Sequence, residues 1–183
     1  MRKIILCLAV SFDGYIEGPD GEIDWISFTE ETGEILNKFL QDIDTVLYGR
    51  TSYEAWGTYK PEGESAESEN SFYAKLHSMQ KYVFSTTKSS FPGDPIVVQK
   101  DIKKTMLDLK KQPGKNIWLY GGSSLITTFM NLDLVDEFSI AVYPVILGAG
   151  KPLFKDVDHR VNMKLREVKN YEGGVVLFNY ETI

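Results

Sequence analysis

"LYGGSSLI" occupies residues 119–126, where the apolar run "NIWLYG" (116–121) turns directly into the helix-patterned "SSLITTFMNL" (123–132). An apolar run of strand length followed at once by a helical pattern reads as a strand–helix unit. The two glycines let the backbone bend sharply and let a ligand come close to it. The two serines follow at the helix start, where free N–H groups and the helix dipole favour an anion such as a phosphate. A tight turn with a serine cap needs the same residues. The stretch is neither G-x-G-x-x-G nor G-x-x-x-x-G-K-[ST], so it is not read as a Rossmann fingerprint or a P-loop.

Outward from this junction, further apolar runs read as buried strands: "KIILCLAV" (3–10), "TVLYG" (45–49), "KYVFST" (81–86), "PIVVQ" (95–99) and "EFSIAVYPVI" (137–146). Helical patterns lie between them. "TEETGEILNKFLQDI" (29–43) spaces Ile35, Leu36, Phe39, Leu40 and Ile43 on one face. It opens with Thr29 and two acids, which suits an N-cap and the helix dipole. "DIKKTMLDLKKQ" (101–112) begins at Asp101 and stops at Pro113-Gly114, and "SENSFYAKLHSM" (68–79) is a further helical stretch. Alternating strands and helices imply α/β architecture with mostly parallel strands, covered on both faces. The tail "VNMKLREVKNYEGGVVLFNYETI" (161–183) reads instead as an antiparallel hairpin around Gly173-Gly174. No repeats occur. The acidic "YKPEGESAESENS" (59–71) reads as a mobile surface loop within one domain spanning 1–183.

Composition bounds the function. The 183 residues carry 43% hydrophobic and 25% charged side chains and a net charge of −6, a globular balance that disfavours a nucleic-acid surface. The single cysteine, Cys7, lies inside an apolar run, so no disulfide framework is possible and a cytoplasmic location is expected. No apolar run reaches the length of a membrane span, and "MRKIILCLAV" (1–10) reads as a first strand rather than a signal peptide. The two histidines, His77 and His159, are read as surface residues, with no metal site.

Two other strand ends resemble the 119–126 junction. "VLYGRTSYEAW" (46–56) passes from strand through Gly49 to a short helix, with Arg50, Thr51 and Ser52 at its start. A guanidinium there can clamp a phosphate or simply face water. "KYVFSTTK" (81–88) ends in Ser85, Thr86, Thr87 and Lys88, chemistry that suits a phosphate monoester or any polar turn.

In this order, "ILCLAVSFDGYIEGPDGEIDW" (5–25), "VLYGRTSYEAW", "KYVFSTTK", "IWLYGGSSLITTFM" (117–130) and "VDEFSIAVYPVILGAGKPLF" (135–154) resemble the dihydrofolate reductase-like superfamily. More closely, the chain is similar to the C-terminal reductase domain of the bifunctional riboflavin-biosynthesis deaminase-reductase (RibD) and to stand-alone proteins of that type. "GGSSLI" and "PVILGAGKPLF" are the most specific elements. The zinc signature of the deaminase half, H-x-E with P-C-x-x-C, does not occur.

The resemblance implies a three-layer α/β/α fold with a mostly parallel twisted sheet and an antiparallel C-terminal hairpin. It also implies NADPH as cofactor and a small-molecule substrate reduced at C=N or C=O. On this view Gly49, Arg50, Thr51 and Ser52 approach the cofactor phosphates. Ser85, Thr86 and Lys88 lie near the adenosine 2′-phosphate. Gly121, Gly122, Ser123, Ser124 and Leu125 hold the pyrophosphate and nicotinamide side. Asp13, in "SFDG" (11–14), matches the aspartate of the riboflavin-type "S-L-D-G" and is the expected catalytic carboxyl group; the residues alone read equally well as an Asp-Gly turn. Glu30 follows Trp25 by five positions, the spacing of the folate-reductase acid, and also suits a helix first turn; Asp24 belongs to the same candidate set. Val145, Ile146 and Leu147 are expected to finish a strand, with Gly148, Gly150 and Pro152 forming a rigid turn beside the substrate. A homodimer through the C-terminal hairpin is a further implication.

Two departures shape the substrate expectation. The acidic "SYEAWGTYKPEGESAESEN" (52–70) stands where riboflavin-type reductases carry basic groups for a ribose phosphate, and the folate-type "M-P-W" is missing before Trp25. The expected activity is that of a 5-amino-6-(5-phosphoribosylamino)uracil reductase-like enzyme. A pterin reductase and a non-catalytic NADPH-binding module are the alternatives.

Overall fold

Runs of β-branched, leucine and aromatic residues build the strands, and their burial shows why. Val46, Leu47 and Tyr48 are consecutive and wholly inaccessible, as are Ile117 and Leu119 on either side of the nearly buried Trp118. Burial of successive residues on opposite faces is the mark of a strand covered on both sides. The computed structural model describes residues 1–61 and 67–183. In chain order the elements are β1 (Ile4–Ser11), β2 (Tyr15–Glu17), α1 (Glu30–Phe39), β3 (Ile43–Gly49), α2 (Arg50–Trp56), α3 (Glu67–Ser78), β4 (Gln80–Phe84) and β5 (Ile96–Val98). They continue with α4 (Ile102–Lys111), β6 (Asn116–Gly121), α5 (Ser123–Asn131), β7 (Glu137–Tyr143), β8 (Lys151–Pro152), β9 (Met163–Asn170) and β10 (Val176–Thr182).

The chain forms two compact units, one of Met1–Arg2 with Ser27–Trp118, the other of Lys3–Ile26 with Leu119–Ile183. In the first, β3 pairs in parallel with β4 and β4 with β5, so that Gly49 lies level with Phe84 and both strands end together. Thr29 caps α1 by accepting the Thr32 N–H at 3.2 Å, as its position predicts. Asp101 precedes α4 in a left-handed conformation (φ 56°) and makes no side-chain cap there, unlike Thr29. The first unit is strapped at its edge by Arg2, 6% exposed, whose guanidinium donates to Lys115 O, Thr45 Oγ1 and the Asp44 carboxylate.

In the second unit β1 runs parallel to β7 from Ile5↔Glu137 to Ser11↔Tyr143. β10 is antiparallel to both β7 and β9, which gives the expected C-terminal hairpin. Met163, Leu165 and Val168 on β9 are exposed, and Phe138, Ile140, Phe154, Met163, Phe178 and Tyr180 line a shallow apolar recess. β2 and β8, which the sequence pattern does not reveal, pair antiparallel. The fold class is α/β with mostly parallel strands and antiparallel C-terminal strands.

Three expected boundaries move. β1 runs one residue past the expected 3–10, to Ser11, and Asp13 stands in the turn that follows. β7 ends at Tyr143, because Pro144 brings no N–H to the ladder; Val145 to Leu147 form a loop whose Ile146 is 72% exposed. The stretch 59–71 is helical from Glu67 onward, where α3 begins, and its residues 62–66 lie outside those described. Among the described residues, no helix is long and apolar enough to cross a membrane.

Candidate functional site

In the second unit the carboxyl end of β1 delivers Ser11, 1% exposed, and the turn residues Phe12 and Asp13. The Asp13 carboxylate is held by three donors. Oδ1 accepts the Ser11 hydroxyl at 2.7 Å and the Leu147 N–H at 3.1 Å, and Oδ2 accepts the Gly148 N–H at 2.8 Å. Burial tends to raise the Asp13 pKa, but Ser11 and the amides of Gly148 and Leu147 together outweigh it and hold the carboxyl group below the usual aspartate range. The side chain therefore sits as an ionised acceptor that fastens the loop after β7 to the loop after β1.

Other bonds tie the same two loops. Phe12 N–H donates to Val145 O at 2.8 Å and Leu153 N–H donates to Gly14 O at 2.9 Å. Lys151 pairs with Glu17 across β2 and β8. Gly150, at φ +146°, packs so closely that an added Cβ would collide with the Glu17 carbonyl oxygen.

The "LYGGSSLI" junction belongs to this unit. Gly121 has φ +110°, a conformation side chains resist, and the Gly121–Gly122 peptide is cis. Gly122 is the N-cap of α5 and carries no side chain to cap it, so the Ser123 and Ser124 N–H groups meet no protein acceptor among the described residues. Leu125 and Ile126 N–H both turn to Gly122 O. The opening therefore presents free amides to an anion. Ser123 is buried and its hydroxyl donates to Pro152 O at 2.9 Å, so it ties α5 to β8; Ser124 is exposed, and Leu125 packs its side chain into the core. Trp25 stacks edge-on against Tyr143 at 5.5 Å, and its buried Nε1–H has no acceptor among the described residues.

In the first unit the ends of β3 and β4 lie level, and the residues beyond them meet. Arg50 Nη1 donates to Glu54 Oε2 at 2.7 Å, and Lys88 Nζ donates to Glu54 Oε1. The Lys88 hydrogen bond first, with the charges of Lys88 and Arg50 and the Arg50 hydrogen bond, holds the Glu54 carboxyl group below its usual range against the opposing effect of desolvation. Ser85 is buried, and its Oγ accepts the N–H groups of Thr87 and Lys88, so it shapes the turn. Thr51 and Thr86 are exposed and Ser52 half-buried. Glu30 stands elsewhere in this unit, in the first turn of α1, where Oε2 accepts the buried Ser68 hydroxyl at 2.9 Å and joins α1 to α3. Asp24, in the second unit, is exposed. Cys7 is sealed in the core, with burial pushing its thiol pKa up to about 12, which keeps the thiol protonated. Among the described residues no three His, Cys, Asp or Glu side chains gather to hold a metal.

Residues 2–177 match the family described as the RibD C-terminal domain. The chain belongs to this family. Two relatives from Bacillus subtilis (strain 168), both named as uncharacterized, are similar along their length. YyaP is 48% identical over 179 residues, covering 98% of this chain and 94% of its own; YwjB is 33% identical over 178 residues, covering 96% of each. Among solved structures, a protein from Shewanella sp. PV-4 assigned to riboflavin biosynthesis shares the fold at a TM-score of 0.79 and 21% identity, with 100% of this chain and 99% of that one covered. A diaminohydroxyphosphoribosylaminopyrimidine deaminase/5-amino-6-(5-phosphoribosylamino)uracil reductase from Thermotoga maritima aligns at 0.66 and 18% identity. All of this chain matches it, but only 57% of the longer chain is covered.

Within this RibD C-terminal domain, three groups matter that the sequence reading did not single out. Glu54 was legible in principle, since Arg50 and Glu54 stand four apart on a helix. Ser11 stands two residues before Asp13, a spacing that suits a local side-chain bond. The Leu147 and Gly148 amides leave no trace in side-chain identity, because the acceptor they meet is 134 and 135 residues away.

Proposed function

We propose that this protein is an NADPH-dependent reductase that delivers hydride to a small C=N or C=O substrate, most like a 5-amino-6-(5-phosphoribosylamino)uracil reductase. Membership of the RibD C-terminal domain family over residues 2–177 carries this reading. The uncapped opening of α5 fits a coenzyme pyrophosphate, since it offers amides and no side chain at Gly122. In the second unit the candidate contacts for a pyrophosphate are Gly121, Gly122, Ser123 and Ser124 through their backbone. The first unit, taken by itself, offers Gly49, Arg50, Thr51 and Ser52 with Thr86 and Lys88 as candidate contacts for a phosphate group.

When bound, the coenzyme supplies the hydride. Asp13 is the candidate nearest the chemistry, and its role follows from its bonds. A carboxylate held below the usual range by three donors is ionised at neutral pH, and Oδ2, which takes only the Gly148 N–H of those three, keeps an acceptor position for a substrate N–H or a water that it orients. The proton that completes reduction comes from solvent through such an oriented donor.

Fluorescence titration with NADPH, followed by a turnover screen over ribosylaminopyrimidines and pterins, tests the reading. Turnover of a ribosylaminopyrimidine is expected. Turnover of pterins alone would favour a folate-type reductase, binding without turnover would favour a nucleotide-binding module, and no NADPH binding at all would overturn the proposal.

A further inference from the structure

We propose that Glu54 sets how strongly this protein distinguishes a 2′-phosphorylated coenzyme from its unphosphorylated counterpart, by holding Arg50 and Lys88 on one carboxylate in the place of a phosphate. This rests on the coenzyme reading above, but it is a separate statement about one side chain.

The arrangement comes from the topology of the first unit. The parallel register Gly49↔Phe84 brings the ends of β3 and β4 level, so Arg50 at the start of α2 and Lys88 in the turn after β4 project from neighbouring strand ends. Ser85 fixes that turn by accepting the Lys88 N–H at 2.9 Å. Glu54 lies one helical turn beyond Arg50 and on the same face. Each of its two oxygens takes one cation, Oε2 from Arg50 at 2.7 Å and Oε1 from Lys88. A tetrahedral anion offers the same two-point acceptance to a guanidinium and an ammonium group. Lys88 Nζ also lies 5.9 Å above the Phe91 ring, a second constraint on where the ammonium group points.

The charge count makes Glu54 consequential. Arg50 and Lys88 bring two positive charges and Glu54 removes one, leaving a net single positive charge for a phosphate monoester that carries nearly two negative ones. The phosphate binds these cations only by displacing the carboxylate or by sharing them with it. The three side chains are partly solvent-exposed, at 42%, 55% and 32% for Arg50, Lys88 and Glu54, so exchange of one anion for another requires no opening of the core. A 2′-hydroxyl meets no such competition, and it can donate to the same carboxylate.

The test uses the full-length protein and its Glu54→Gln and Glu54→Asp variants, with binding of NADPH, NADH and adenosine 2′-phosphate measured by calorimetry at low and high salt. Glu54→Gln is expected to tighten NADPH and adenosine 2′-phosphate by roughly ten-fold at low ionic strength, with the gain shrinking at 0.5 M salt, roughly where screening erases exposed charge effects. NADH affinity is expected to stay the same or weaken. Glu54→Asp, whose shorter side chain withdraws from Lys88, is expected to give a smaller gain in the same direction. An unchanged or weakened affinity of Glu54→Gln for adenosine 2′-phosphate, or an equal change for both dinucleotides, overturns the assignment. If the wild-type chain binds neither dinucleotide while adenosine 2′-phosphate still distinguishes the variants, the coenzyme reading fails and coenzyme selection by Glu54 fails with it, leaving Glu54 only as a competitor for a phosphate monoester at Arg50 and Lys88.

Discussion

The two units end their strands in opposite ways. In the second, the residues beyond β1, β6, β7 and β8 are bound to backbone: Asp13 to the Leu147 and Gly148 amides, Ser123 to the Pro152 carbonyl, Phe12 to the Val145 carbonyl and Leu153 to the Gly14 carbonyl. In the first, the residues beyond β3 and β4 are bound by charge, with Arg50 and Lys88 sharing the exposed carboxylate of Glu54. Hydrogen bonds to fixed backbone groups hold one geometry, whereas exposed ion pairs are weak, screened by salt and readily exchanged. The strand ends of the second unit are built to keep one geometry, and those of the first to exchange one anion for another.

The sharpest way to break this contrast is at Gly150, where an added Cβ meets the Glu17 carbonyl and the residue sits at φ +146°. Gly150→Ala is expected to cost about 3 kcal/mol and lower Tm by roughly 10 °C in thermal unfolding. A silent substitution there would show that the loops of the second unit are not laced tightly.

Asp13→Ala comes next. It removes the acceptor of two loop amides and is expected to lower kcat on the order of 100-fold while leaving NADPH affinity within about three-fold. Amide exchange at Leu147 and Gly148 should quicken in the same variant, and full activity would remove Asp13 from the chemistry. The pH dependence has a definite sign. The folded pKa of Asp13 lies below its unfolded value, so the clamp contributes stability above the ordinary aspartate range and loses it as pH falls through the folded value. Protection of the two amides should therefore persist through mildly acidic pH and fail only below the usual aspartate pKa.

Ser123→Ala deletes a single hydrogen bond between α5 and β8 and is expected to cost about 1 kcal/mol by denaturant unfolding. Glu54→Gln marks the other end of the scale, with no measurable shift in Tm at physiological salt. A large destabilisation from it would erase the distinction between the two sets of strand ends.

Much of the fold was legible beforehand because its cause is local. Thr29 caps α1 through a bond three residues long, and the 163–182 hairpin turns at Gly173 and Gly174, both at positive φ. The strand positions follow from runs of residues that bury on both faces. The candidate site was legible only as positions. Arg50 and Lys88 were recognisable as cations near strand ends, but not as partners of one carboxylate, since Lys88 and Glu54 lie 34 residues apart. Asp13 was recognisable as a carboxyl group beside a turn, but nothing near it in the chain announces the loop amides it binds.

The sequence by itself determined the main strands and helices, the α/β class and the residues near most strand ends, because propensity, burial pattern and capping act over a few residues. Tertiary structure decided what those end residues do. It placed backbone amides of one loop on the carboxylate of another and two cations on one acid, and such pairings depend on strand register, which no short stretch of sequence encodes.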